Sequence, residues 1–174
     1  MHRLTPHILA LALLPGAAHA QNSLNGMAYV YDVPRLLNTS RVDLLEGLFT
    51  YRVSDRSGSA ALRLTLDVRS VGGGRVHTTD LSVPTPLRAP ALMTVQDVAW
   101  NLASQCFNLL PERRTPVASW LAGLSEGLPD NERREATFGP LTLRATPVPG
   151  GLKLSFTRSD QPGVRPWNRW CWTD

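Results

Sequence analysis

The stretch ALRLTLDVR, residues 61–69, alternates strictly between apolar and polar side chains. Leucine or valine occupies the even positions from 62 to 68, and arginine, threonine or aspartate occupies the odd positions from 63 to 69. Successive side chains of a β-strand point to opposite faces, so this pattern predicts a strand with one buried face and one solvated face. A sheet built from such strands needs an apolar covering on one side only.

The same two-residue period predicts further strands, arranged in hairpins. The glycines at 72–74 separate the first strand from RVHTTDLSV, residues 75–83, where the apolar phase slips. One extra residue near Thr79 or Asp80 would explain this slip as a β-bulge. The turn PVPGG separates a second clear pair of strands, at residues 141–146 and 152–157, and the stretches NGMAYVYDV and LFTYRV predict strands nearer the N-terminus.

Between the two hairpins the apolar period becomes helical. Thr94 is the predicted N-cap of a first helix, and Thr115-Pro116 opens a second helix, because proline favours the first helical turn. The order of strands, helices and strands, without strand–helix alternation, predicts an α+β fold. We expect an antiparallel sheet of about five or six strands in hairpins, with two central helices packed on one face. The apolar stripe of the first predicted helix consists of Val95, Val98, Ala99, Leu102 and Cys106.

The first twenty residues have the pattern of a signal peptide. Arg3 is followed by an apolar stretch, residues 8–14, and by Ala18-His19-Ala20, which suits signal peptidase. The sequence therefore predicts a signal peptide at 1–20 and a single exported domain at 21–174. We expect a secreted or periplasmic protein, because no later segment is long and apolar enough to span a membrane. Arginine in place of lysine, with many alanines and prolines, indicates a GC-rich bacterial genome.

Composition argues against several classes of function. The formal net charge is +4 and the arginines are scattered along the chain, whereas nucleic-acid binders concentrate them on one face, so we expect no nucleic-acid partner. Three of the four histidines lie in the predicted signal peptide, which leaves His77 alone in the mature chain. The sequence accordingly predicts no metal site and no cofactor.

The chain has two cysteines, Cys106 and Cys171, and neither belongs to a CxxC motif. An even pair in an exported chain is most simply a disulfide, so we predict that these two residues close the domain covalently. A nucleophilic Cys106–His77 dyad is the alternative, and it would require a free thiol at Cys106.

The C-terminal sequence RPWNRWCWTD is unusually rich in tryptophan. One interpretation is a binding surface in which the tryptophans, with Arg165 and Arg169, stack on sugar rings or hold an acidic polymer. The other, which the neighbouring cysteine favours, is a structural tail held against the domain. If the tail is extended, Trp170 and Trp172 share the face opposite Cys171. The candidate ligand-binding residues are Trp167, Arg169, Trp170 and Trp172.

These patterns favour binding over catalysis. We predict a non-catalytic interaction module of the bacterial cell envelope, with a protein or a glycan as partner. One alternative is a cell-wall hydrolase that uses paired carboxylates, and Asp67 and Asp80 are the candidates because they lie in adjacent strands of one hairpin. A second alternative is a carrier that encloses an apolar ligand between helices and sheet.

Overall fold

The structure is a computed structural model that describes residues 28–30, 40–45, 50–55, 62–71, 74–159 and 171–173. Two helices in this part of the chain, α1 (Ala89–Phe107) and α2 (Arg114–Ala122), are joined through a 3-10 turn at Pro111–Arg113. The predicted signal peptide lies outside the described residues. The described strands are β1 (Ala28–Tyr29), β2 (Ser40–Leu45), β3 (Thr50–Asp55), β4 (Leu62–Val71), β5 (Arg75–Pro84), β6 (Arg134–Phe138), β7 (Leu141–Val148), β8 (Gly151–Arg158) and β9 (Cys171–Trp172).

The sheet has the order β2-β3-β4-β5-β8-β7-β6, and every neighbouring pair on this path is antiparallel. The two predicted hairpins, β4–β5 and β7–β8, are confirmed. They are joined to each other by the pairing of Thr78–Pro84 in β5 with Gly151–Thr157 in β8. This arrangement confirms the predicted α+β fold, and β2 and β6 are strands that we had not predicted.

The apolar face of the sheet is covered by the helices. Phe107, at the end of α1, stacks on Phe156 of β8 with ring centroids 6.3 Å apart. Trp120 of α2 meets Phe138 of β6 edge-on at 6.5 Å. No helix among the described residues is both long and apolar enough to cross a bilayer. The strands contribute to this buried core Leu64, Leu66, Val76, Leu81, Val83, Phe138, Leu141, Leu143, Ala145, Leu152, Leu154 and Phe156.

Helix α1 begins at Ala89, so the prediction that Thr94 is its N-cap is wrong. The N-cap is Arg88, which makes no capping bond through its side chain, and Pro90 lies in the first turn, where no backbone N–H is required. Thr94 lies inside the helix, and its Oγ1 donates to the carbonyl oxygen of Pro90 at 3.1 Å. Proline thus marks the start of this helix, as it also does near the start of α2.

The predicted β-bulge is present, but it lies at His77 rather than at Thr79 or Asp80. Arg69 pairs with Thr78 and the next residue of β4, Ser70, pairs with Val76, so His77 is the extra residue. The bulge explains how Val76 and Leu81, which are an odd number of residues apart, both enter the core.

The predicted disulfide between Cys106 of α1 and Cys171 of β9 is confirmed, and both residues are fully buried. Strand β9 pairs with β5 through Trp172 and Arg75, and it pairs in parallel with β1. The backbone N–H of Thr173 also donates to the carbonyl oxygen of Gly74 at 3.1 Å. Residues 171–173 are therefore attached both to the sheet and to the helix that covers it.

We expect the double substitution Cys106→Ala/Cys171→Ala to lower the free energy of unfolding by about 4 kcal/mol. The crosslink joins residues 65 positions apart and restricts the unfolded chain accordingly. Urea denaturation followed by tryptophan fluorescence measures the change. A reducing agent should destabilise the wild type and leave the double variant unchanged. A loss below about 1 kcal/mol would contradict the expectation.

Candidate functional site on the polar face

The face of the sheet opposite the helices, here called the polar face, carries the polar residues that alternate with the core. Antiparallel register aligns them in rows across the strands. The threonine row comprises Thr78, Thr157, Thr142 and Thr137, on β5, β8, β7 and β6. The carboxylate row comprises Asp67, Asp80, Ser155, Arg144 and Glu135, on β4, β5, β8, β7 and β6.

The threonine row forms two hydrogen-bonded pairs of hydroxyls. The Oγ1 atoms of Thr78 and Thr157 lie 3.4 Å apart, and those of Thr137 and Thr142 lie 3.2 Å apart. Exposure increases along the row, from the buried Thr78 to the exposed Thr137 at the β6 edge. The row is therefore accessible to solvent on β8, β7 and β6, and it is buried at Thr78 on β5.

Asp67 and Asp80 are direct cross-strand partners, as their places in one hairpin predicted. Arg69 donates from Nη2 to Oδ2 of Asp80 at 3.2 Å, and it makes this bond with a guanidinium that is largely exposed. The side chain of Asp80 is only 9% exposed, and its Oδ1 is buried without a hydrogen-bond partner. Arg69, which lies two residues from Asp67 on the same face of β4, therefore pairs with Asp80 across the strands.

Trp172 belongs to the polar face. Its neighbour Cys171 points to the helix side, where it is bonded to α1, and the next residue of an extended strand points the opposite way. Its partner Arg75 precedes the core residue Val76 and is exposed. The indole is half-buried, and its Nε1 has no hydrogen-bond partner. The tail thus contributes an aromatic ring to the same surface as the threonine and carboxylate rows.

Arg158 links this surface to the disulfide. It follows Thr157 in β8, and its Nη2 donates to the carbonyl oxygen of Cys106 at 2.9 Å. Its guanidinium carbon lies 6.0 Å from the centre of the Phe107 ring. Burial lowers the pKa of Arg158 below its usual value, because desolvation disfavours the charged form. A cation at the C-terminal end of α1 also interacts favourably with the helix dipole.

His77 and Thr79 do not both lie on the polar face, although they are two residues apart in one strand. Because His77 is the bulge residue, Thr79 points into the core, where it is fully buried opposite Phe156. Nδ1 of His77 lies 3.2 Å from Oγ1 of Thr78. A nucleophilic dyad of His77 with Cys106 is excluded, since the sulfur of Cys106 is held in the disulfide.

Of the four ligand-binding candidates in the tail, the described residues include Trp172. Trp167, Arg169 and Trp170 lie outside them. Within the described part of the chain, no group of three or more histidine, cysteine, aspartate or glutamate side chains is placed to hold a metal ion.

Sequence reasoning missed the threonine row. Each threonine was recognisable as a polar residue of an alternating strand, but the row depends on β5 pairing with β8, and β6 was not predicted. A comparison with known family models, curated proteins and solved structures found no match to this chain. The candidate site is therefore inferred from the geometry of this structure alone.

We expect Asp80→Thr to raise the free energy of unfolding by about 1 kcal/mol. The buried, unpaired Oδ1 costs roughly 1–3 kcal/mol, which exceeds the gain of about 1 kcal/mol at most from an exposed arginine partner. Threonine also suits a strand. Chemical denaturation of both variants tests this, with Asp67→Thr as the matched control, since Asp67 is exposed and should change stability by less than about 0.5 kcal/mol. Destabilisation by Asp80→Thr would instead identify Asp80 as a structural residue.

Proposed function

We propose that this protein is an exported, non-catalytic binding module of the bacterial cell envelope that binds a glycan on its polar face. The observation that carries the proposal is the position of Trp172 beside strands lined with hydroxyl groups. An indole ring offers a flat apolar face to the C–H groups of a sugar, and the indole of Trp172 is partly exposed. Threonine and serine hydroxyls provide the hydrogen-bonding groups that a glycan needs.

Two polar atoms on this face support a binding role. Oδ1 of Asp80 and Nε1 of Trp172 are both buried without partners, although buried polar groups in proteins are nearly always hydrogen-bonded. Such atoms reduce stability, and proteins tolerate that cost chiefly where function requires the residue. The two residues lie on one face of the sheet, at either end of the β5 segment between Arg75 and Asp80.

The disulfide supports the proposed location. Disulfides form and persist in oxidising compartments, which include the bacterial periplasm and the extracellular space. The predicted signal peptide at 1–20 agrees with this location. The proposed partner is consequently a glycan of the envelope or of its surroundings.

The packing of side chains between the helices and the sheet argues against a carrier that encloses an apolar ligand, and it favours binding on the polar face. There Phe107 stacks on Phe156, and fully buried leucines from α1 and the strands belong to the same core cluster. The opposite face presents the polar groups, so recognition by hydrogen bonds belongs to that side.

We expect Trp172→Ala to weaken binding to the recognised polysaccharide roughly tenfold, because it removes the stacking surface. Affinity electrophoresis or pull-down with insoluble polysaccharides measures the loss. Trp100→Ala is the matched control, since Trp100 is also half-buried but lies on α1 on the helix side. Equal binding by wild type and Trp172→Ala, with both folded by circular dichroism, would contradict the proposal.

A second candidate is the wall hydrolase, which the cross-strand pairing of Asp67 with Asp80 favours. The Cβ atoms of directly opposed residues lie about 4.5–5.5 Å apart, close enough for two carboxyl groups to reach the separation of about 5–5.5 Å found in retaining glycosidases. Two observations argue against the hydrolase: Arg69 binds one carboxylate oxygen of Asp80, and the other oxygen is buried.

Prolonged incubation with peptidoglycan and neutral polysaccharides separates the two candidates. The binding module should release no reducing ends, because Asp80, with one oxygen bound to Arg69 and the other buried, cannot act as the second carboxylate. If the wild type releases reducing ends, and both Asp67→Asn and Asp80→Asn abolish this release, the protein is a hydrolase instead.

A further inference from the structure

We propose that the threonine row binds an uncharged, linear polysaccharide whose chain runs across the strands rather than along them. This inference rests on the proposed glycan-binding function and specifies the class and direction of the ligand. It is carried by the register of four strands, by the bonding capacity of the hydroxyls and by the charge balance of the polar face.

The register places the four threonines at a regular interval. Thr78 is the partner of Thr157, Thr157 of Thr142 and Thr142 of Thr137, so one hydroxyl stands on each successive strand. Neighbouring strands are about 4.8 Å apart, so the accessible part of the row, from Thr157 on β8 to Thr137 on β6, is about 10 Å long, because Thr78 is buried. A polymer with a short repeat can meet successive hydroxyls with successive units only if its chain crosses the strands.

The hydroxyls keep bonding capacity for a ligand even though they pair with each other. Each hydroxyl has one donor and two acceptor lone pairs. In the Thr137–Thr142 pair one O–H is used, so the other O–H and the remaining lone pairs can meet ligand hydroxyls. Thr78 is buried and also contacts Nδ1 of His77, so Thr157 is the member of the other pair that can meet a ligand. A sugar ring, which carries several groups that both donate and accept, matches this mixed capacity.

The charges of the polar face favour a neutral ligand. Arg69 pairs with Asp80 in the centre of the sheet, and Arg144 pairs with Glu135 near its edge. In the threonine row, the carboxylate row on one side of it and the Trp172–Arg75 pair on the other side, three basic and three acidic side chains balance. They are Arg69, Arg75, Arg144, Asp67, Asp80 and Glu135. A polyanion or polycation would find no net opposite charge there.

Trp172 is placed to contact the same chain. Strand β8 ends at Arg158, and β9 takes its place beside β5, where Trp172 pairs with Arg75. Arg75 is two regular strand positions from Thr78 when the bulge residue His77 is not counted. The indole is therefore roughly 7 Å from the threonine row along the strand direction. A polysaccharide on the row can lie against the ring with one sugar while the hydroxyls bind its neighbours.

The test is the double substitution Thr142→Val/Thr157→Val, which removes two hydroxyls and preserves shape and strand propensity. We expect affinity for the bound neutral polysaccharide to fall about 25-fold, since each net hydrogen bond changes an equilibrium constant roughly fivefold. The matched control is Thr115→Val, an exposed threonine on α2, which should leave affinity unchanged. Unfolding curves of the variants establish that each is folded during the measurement.

The probes are the neutral polymers cellulose, chitin and xylan, with alginate and chitosan as charged counterparts. Binding of a neutral polymer that weakens in Thr142→Val/Thr157→Val and persists in Thr115→Val supports the inference. Unchanged binding by the double variant, or binding of the charged polymers alone, overturns the inference but not the proposed glycan binding. Failure of the wild type to bind any glycan overturns both.

Discussion

The pairing of β5 with β8 is the interaction on which the rest of the structure depends. It joins two locally formed hairpins, separated in the chain by both described helices, into one sheet. The joined sheet has a continuous apolar face, which α1 and α2 cover, and a continuous polar face on the other side. The same register aligns Leu81 with Leu154 in the core and Thr78 with Thr157 on the polar face. A shift of one residue would exchange the two faces and remove both arrangements.

The disulfide connects the two sides of this sheet. Its sulfur atoms lie in the core between α1 and β9, while the residue next to Cys171 carries its indole to the polar face. Arg158 strengthens the same corner by bonding the last turn of α1 from the end of β8. The position of Trp172 therefore depends on a covalent bond buried on the opposite side of the sheet. A structural tail and a ligand-binding tail, which were alternatives in the sequence, are compatible in this fold.

The polar face combines groups that help folding with groups that do not. Threonine pairs and the exposed pair of Arg144 with Glu135 are ordinary stabilising contacts of a solvated sheet face. The buried Oδ1 of Asp80 and Nε1 of Trp172 have no such benefit. The partly exposed indole of Trp172 beside the hydroxyl-bearing strands is the basis for proposing a binding role for that surface. It also explains why the surface rather than the packed space beneath the helices is the candidate site.

The sequence by itself determined the α+β class, the two hairpins and the identity of the disulfide partners, because these follow from short periods, turn residues and the count of cysteines. The strand at 62–71, for example, follows from its own alternation. Only the tertiary structure decided that the bulge is at His77, that Asp80 rather than Asp67 receives Arg69, and that Trp172 shares a face with the threonine row. These features depend on which distant strands pair and in which register, and pairing across 70 or more residues, as between Thr78 and Thr157, leaves no periodic signal in the chain.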